Sequence, residues 1–226
     1  MRVMIRFTKQ EAIRYVSHLD LMRAARRMFR RAGLPVAYSE GYHPHPILSF
    51  AMALPVGAAS QGEYMDLALA EDMSCSEVLR RLQAAQPQGM AVTGVWAMEE
   101  EAPSQMAMVT AARWRLRFQE PDAAGLEGAV ARILGSESVV VEKSNGKKTQ
   151  QVDIRPGIRA ICVQAPLEVM TLLDAGSKNN IQPQSLADAL LGGPSLGRVL
   201  VEREALYGTK DGELVPLEDC DGVKHE

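Results

Sequence analysis

No run of about 18 apolar residues occurs in the chain, so no segment has the pattern of a membrane-spanning helix. Cysteine is scarce. Cys75, Cys162 and Cys220 are far apart and odd in number. That excludes a local zinc knuckle or iron–sulfur motif and fits reduced thiols in a cytoplasmic protein. Aromatic residues make up only 5% of the chain, which weakens a reading as a base-stacking single-strand binder. The phosphate-cradling patterns GxGxxG and GxxxxGK(S/T) are missing, as is the GxSxG nucleophile elbow. The opening MRVMIRFTKQ has no apolar stretch followed by a small-residue cleavage site, so no secretory signal is expected.

What is present is ordinary globular composition: 46% hydrophobic and 23% charged residues. A length of 226 residues suits one large domain or two of roughly 100 each. The net charge of −3 is unevenly spread. Residues 1–60 carry eight arginines and Lys9 against Glu11, Asp20 and Glu40, a net +6, which leaves −9 for the other 166 residues. A basic head on an acidic body points to a localised anionic partner, or to the two parts docking on each other.

VMIRF alternates like a strand. Ser17 stands where a helix N-cap would, with Asp20 three residues on. From there the period is helical. Leu21, Met22, Ala25, Met28, Phe29 and Ala32 fall on one face and Arg23, Arg26, Arg27, Arg30 and Arg31 on the other. Gly33 then stops the helix. Val36–Tyr38, Ile47–Leu54 and Glu63–Ala70 read as strands, Ser74 caps a second helix, and Met90–Met98 is a further strand. Strand, helix, strand, strand, helix, strand in about 100 residues is the split βαβ, or ferredoxin-like, arrangement. The expected fold is therefore α+β, with a ferredoxin-like domain at 1–100, a linker at 101–111, a second α+β domain at 112–208 and an acidic frayed tail at 209–226. RWRLRF echoes RVMIRF, so the second domain reads as a possible variant repeat. Within it Asp122–Leu134, Leu167–Asp174 and Pro183–Leu191 read as helices, and Val139–Lys143 and Thr149–Ile154 as a hairpin across Ser144-Asn145-Gly146. Arg159–Gln164 and Arg198–Tyr207 read as strands.

Three features could carry function. The helix face of Arg23, Arg26, Arg27, Arg30 and Arg31 is all arginine, and guanidinium groups fork phosphates in a way lysine cannot. Such a stripe suits an RNA or DNA backbone, though a solvated helix face is its plain alternative. In Ser17-His18-Leu19-Asp20, His18 falls on the apolar face, where histidines are commonly packed and hydrogen-bonded, while Asp20 falls on the arginine side. A histidine at a helix N-terminus is also held neutral, as a base requires. In Tyr42-His43-Pro44-His45-Pro46 the histidines point the same way on extended backbone, and the prolines stiffen the loop. A metal there needs further ligands from His18, Asp20 or Asp66 that nothing in the sequence brings near, so no metal and no cofactor is expected.

The run from Arg6 to Leu69 resembles a bacterial family of unknown function, the radical-SAM-linked or radical-SAM-associated proteins. The resemblance rests on Ser17-His18-Leu19-Asp20, on Tyr38-Ser39-Glu40-Gly41-Tyr42-His43-Pro44-His45-Pro46, on Leu54-Pro55-Val56-Gly57 and on Glu63-Tyr64-Met65-Asp66. Later, VDIRP and NIQPQSLADAL are similar to the family's second half. The family's loop more often has Asn where this chain has His43, so His45 is the family-like histidine. The resemblance implies a radical SAM enzyme as partner. The chain has no CxxxCxxC, so the cluster would belong to that partner.

These readings combine into an RNA-binding accessory protein that presents a substrate to a radical SAM enzyme. The arginines would hold phosphate, His18 and His45 would be the candidate catalytic pair, and Tyr42, His43, Asp20 and Asp66 would line the site. A metal-independent RNA-processing enzyme using His18 and His45 is the first alternative. A protein–protein adaptor with no nucleic acid is the second.

Overall fold

The computed structural model describes residues 1–119, 125–144 and 149–225. The chain divides into two compact units, Met1–Val109 with Ala205–Glu226, and Thr110–Glu204. The expected turn Asn145-Gly146 and the expected helix start at Asp122 lie outside the described residues.

The first unit runs β1 (Arg2–Lys9), α1 (His18–Arg31), β2 (Leu48–Phe50), β3 (Ala59–Ala68), α2 (Cys75–Ala85) and β4 (Met90–Met98). β1 lies between β3 and β4, β2 pairs with β3, and all three pairings are antiparallel. This is the strand order of the split βαβ arrangement. The alternation of β1 explains it. Val3, Ile5 and Phe7 face the helices and pack with Met65 and Leu67 of β3, with Leu21, Ala25, Met28 and Phe29 of α1, and with Val78 and Leu82 of α2. Each such side chain contributes about 1.5–3 kcal/mol on burial. Helix α1 is capped by Ser17, whose Oγ accepts the Asp20 N–H at 3.2 Å, and the chain turns away at Gly33, φ +61°.

Much of the other face of this sheet is also covered. Met4 and Tyr64, which point away from the helices, are 0% and 2% exposed. The cover is built from two stretches that the sequence assigned to a linker and to a frayed end. The presumed linker holds α3 (Gln105–Met108), capped by Ser104, with Gln105 buried and its Nε2 donating to the Met65 carbonyl at 3.1 Å. The presumed tail holds β11 (Glu213–Pro216), a turn of 3₁₀ helix at Leu217–Asp219 and β12 (Val223–Lys224), the last pairing with the β4 edge. Acidic composition suggested fraying, but Leu217 and Cys220 are buried anchors that composition does not reveal. Gly208 accommodates them, because a Cβ there would collide with the Cys220 sulfur.

The second unit contains β5 (Ala111–Phe118), α4 (Leu126–Gly135), a separate hairpin of β6 (Val140–Ser144) and β7 (Thr149–Asp153), then β8 (Ile158–Ala165), β9 (Glu168–Asp174), α5 (Pro183–Leu191) and the start of β10 (Val199–Lys210). Its strand order is β10-β5-β9-β8. Setting the β6–β7 hairpin aside, the element sequence is again strand, helix, strand, strand, helix, strand, with the same spatial order as in the first unit. The expected helix at Leu167–Asp174 is instead strand β9, the return arm of a hairpin with β8. Val169, Thr171 and Leu173 alternate toward the interior, a period of two that the apolar Met170 and Leu172 on the other face mask. Arg203 is fully buried with its guanidinium 4.6 Å from the Trp114 ring centroid. Among the described residues no helix is long and apolar enough to cross a membrane.

Met28, fully buried between α1 and the sheet, tests this core. Met28→Ala is expected to lower the unfolding free energy by about 2–5 kcal/mol. Arg27→Ala, on the exposed face, should change it by less than about 0.5 kcal/mol, both read by chemical denaturation.

Candidate functional site

Helix α1 sorts its five arginines into distinct roles. Arg31 donates to the Ala85 carbonyl at the end of α2 (2.6 Å), and Arg81 of α2 donates to the Gly33 carbonyl just past α1 (3.1 Å), so each helix end is capped by a cation from the other. Arg26 is half-buried, with Nη2 against the Met22 sulfur at 3.5 Å. Arg23 pairs with Asp20 at 2.8 Å on exposed surface, an interaction worth little in water. Asp20 is held below its ordinary range by the Ser17 hydroxyl first and by Arg23 second. Arg27 and Arg30 are exposed, and their side chains make no hydrogen bond or ion pair among the described residues. The available stripe is therefore Arg23, Arg27 and Arg30, about 10 Å along the helix axis.

His18 is half-buried. Its ring meets Phe50 edge-on, with centroids 5.1 Å apart and an interplanar angle of 74°. Phe50 lies opposite Met65 on the helix side of the sheet and also meets Phe7 at 5.8 Å. His18 is thus a packed histidine at the core's edge.

His45 belongs to the other side. Tyr38 bridges to Pro46 and the Ser39 N–H bonds to the His45 carbonyl at 2.9 Å, closing the 39–45 loop. The Ser39 Oγ accepts the His45 N–H at 3.2 Å and lies 2.9 Å from its Nδ1, with the His43 carbonyl 3.4 Å from that same nitrogen. Whichever tautomer holds, Nδ1 is occupied and Nε2 is the ring nitrogen left without a partner among the described residues. Beyond the loop the backbone is extended, so residues 45, 47 and 49 share a face. Ser49 lies opposite Asp66, and Asp66 lies opposite Met4, whose neighbours on that face are Arg2 and Arg6. His45, Ile47 and Ser49 therefore line up beside Asp66 and Ala68, with Arg2 behind, and enclose a cleft of about 420 Å³ on the face away from the helices. His18 is not among its lining residues, and the helix-side position of Phe50 accounts for that. The structure brings His45 together with Asp66, not with His18. Tyr42 and His43 are exposed on the loop tip and do not line this cleft.

Sequence reasoning missed the partners that set this face. Arg2 forks Asp66, Nε to Oδ1 at 3.2 Å and Nη2 to Oδ2 at 2.5 Å, while its Nη1 donates to the Ala102 carbonyl at 2.7 Å. Glu218 takes Arg6 on Oε1 at 3.1 Å and a short hydrogen bond from the Tyr64 hydroxyl on Oε2. Across the sheet, Lys9 is buried with Nζ donating to the Arg14 carbonyl at 2.7 Å. Burial pushes that ammonium down, and the Glu63 charge partly restores it. The period of two through Glu63-Tyr64-Met65-Asp66 could have put Tyr64 and Asp66 on one face with Arg2 and Arg6. No sequence signal could have supplied Glu218.

Burial first, and the Glu218 bond second, hold the Tyr64 phenol above its ordinary value of about 10. A folded-state pKa above the unfolded one gives stability that is complete below pH of about 10 and lost as pH rises past it, because only the unfolded chain ionises there. The unfolding free energy is expected to fall above that pH with an extra slope approaching about 1.4 kcal/mol per unit. Tyr64→Phe should remove that component of the alkaline slope, as read by urea titrations between pH of about 8 and 11.

No curated protein matches the chain. A family match covers residues 2–183, and so spans the arginine helix, the His45 loop, the Glu63–Asp66 strand and most of the second unit. On that match the chain belongs to the bacterial family described as "Uncharacterized protein conserved in bacteria (DUF2344)".

Proposed function

We propose that the chain binds RNA through the exposed arginines of α1 and acts as an accessory that presents it to a radical SAM enzyme. The single observation behind the RNA part is the pair Arg27 and Arg30, exposed one helical turn apart and making no ion pair among the described residues, beside Arg23. A helix that only needed a solvated face would gain from i,i+4 pairing with glutamate, and α2 does so through Glu77 with Arg80 and Arg81 at 2.7 and 2.6 Å. Helix α1 leaves these two charges to solvent or to a ligand. Ferredoxin-like RNA-binding modules commonly stack bases on the open face of the sheet. Here Met4 and Tyr64 on that face are buried, so the reading puts RNA on the helix instead.

The radical SAM partner is supported by the resemblance of the Ser17–Asp20, Tyr38–Pro46 and Glu63–Asp66 motifs, and by the absence of a CxxxCxxC that would let this chain hold the cluster itself. Tyr15 and Leu19, 69% and 62% exposed at the start of the arginine helix, favour a protein contact at that end. They are also the observation behind an adaptor reading without nucleic acid. Capture of the tagged protein from cells, followed by nuclease treatment and mass spectrometry, separates the two: the RNA reading expects nucleic acid in the eluate, the adaptor reading protein alone. The acid–base reading of His18 with His45 draws no support from the geometry, since the two contact different faces of the sheet.

Binding to a single-stranded RNA should weaken with salt, and Arg27→Ala with Arg30→Ala should reduce the slope of log K against log salt by about 1.4, at about 0.7 per phosphate contact. Fluorescence anisotropy across a salt series reads this. Equal affinity and slope in the double variant would remove α1 from the interface.

A further inference from the structure

The cleft beside His45 has a chemistry of its own that the RNA reading does not use. Its floor is a piece of sheet three strands wide, from Arg2 through Asp66 and Ala68 to Ser49. Ala68 and Ile47 give that floor an apolar patch. Asp66 is 8% exposed and still reaches the cleft. Arg2 occupies one lone-pair direction on each of its oxygens, and a carboxylate has about four, so Asp66 retains acceptor capacity toward the cleft. All five Arg2 donors face protein acceptors: Nε and Nη2 are forked on Asp66, Nη1 is on the Ala102 carbonyl, and the second N–H groups of Nη1 and Nη2 reach the Glu100 and Pro103 carbonyls at 3.4 Å. Around the rim stand the Ser49 hydroxyl and the free Nε2 of His45, whose ring is fixed from behind by Ser39.

A site with a neutralised ion pair as its floor, a surplus of acceptor capacity and no spare cation selects against phosphates. It suits an uncharged, flat molecule that donates hydrogen bonds from one edge. The volume of about 420 Å³ lies in the range of small-molecule sites. We infer that this cleft binds a neutral heterocycle of nucleoside size, its ring on Ala68 and Ile47, an N–H or O–H donated to Asp66, and an edge read by His45 and Ser49. The inference does not rest on the RNA reading, because Arg27 and Arg30 lie on the helix and take no part in it.

The test is titration of the intact chain with adenosine, guanosine, cytidine and uridine, and with their 5′-monophosphates, followed by two-dimensional amide NMR. At least one nucleoside is expected to saturate, shifting the amides of residues 45–49 and 66–68, and its monophosphate should bind no more tightly. Ala68→Leu, which fills the floor, should weaken that nucleoside by at least about tenfold, a loss of about 1.4 kcal/mol. Ser49→Leu, at an exposed position that tolerates substitution, should do the same and decides the matter if the Ala68 variant does not fold. Four outcomes would overturn the inference: no saturable shift with any nucleoside, saturation that maps outside the cleft, a monophosphate at least tenfold tighter than its nucleoside, or unchanged affinity in the folded variants. Loss of RNA binding in the Arg27 and Arg30 variant with nucleoside binding intact would leave both readings standing as separate sites.

Discussion

The Glu218 carboxylate holds together a part of the first unit that no local rule would assemble. It reaches Arg6 on β1 and Tyr64 on β3 from a turn more than 150 residues along the chain, and both contacts are partly shielded from water. Removing either partner leaves this half-buried carboxylate less compensated, so the three groups support one another. Where that turn docks, Leu217 and Cys220 go into the core and Gly208 makes room for them. Much of one face of the ferredoxin-like sheet is closed as a result. What remains open on that face is the stretch beside β2.

Much of this was legible beforehand, and the reasons are physical. The α1 helix announces itself through a 3.6-residue period and a Ser17 cap, and the structure buries four residues of the face that period selects. The strand order of the first unit followed from the succession of elements, since a strand–helix–strand crossover leaves few arrangements. The second unit repeats that succession with the β6–β7 hairpin interposed, which is why only its opening RWRLRF looked familiar. The misreadings share a cause. The helix expected at Leu167–Asp174 is a strand: the apolar residues Val169, Met170, Leu172 and Leu173 lie on both of its faces, and so short a stretch does not distinguish period two from 3.6. The 209–226 segment was taken for a frayed end because its charge conceals two buried anchors.

The candidate site divides the same way. Arginine clustering was visible from residue type and spacing, but not that Arg31 would cap α2 or that Arg26 would lie half-buried on Met22. His45 stands out in the sequence for its rigid loop, yet Arg2 and Asp66, with which it lines one cleft, lie tens of residues away, and only the fold brings them together. His18 and His45, the candidate acid–base pair, end on opposite faces of one sheet. Asp66 was noticed as part of the Glu63–Asp66 strand, and its role becomes clear only with the Arg2 fork behind it.

The basic head of the sequence is therefore two populations of arginine. Arg2, Arg6, Arg14, Arg26 and Arg31 are engaged within the fold, while Arg27 and Arg30, with Arg23 beside them, are the arginines proposed to meet RNA. That division is the central claim, and the side-chain Nε–H resonances of the arginines test it most directly. On titration with single-stranded RNA, the signals of Arg27 and Arg30 are expected to shift and those of Arg2 and Arg6 to stay in place. Movement of Arg2 and Arg6 with Arg27 and Arg30 unchanged would contradict the account.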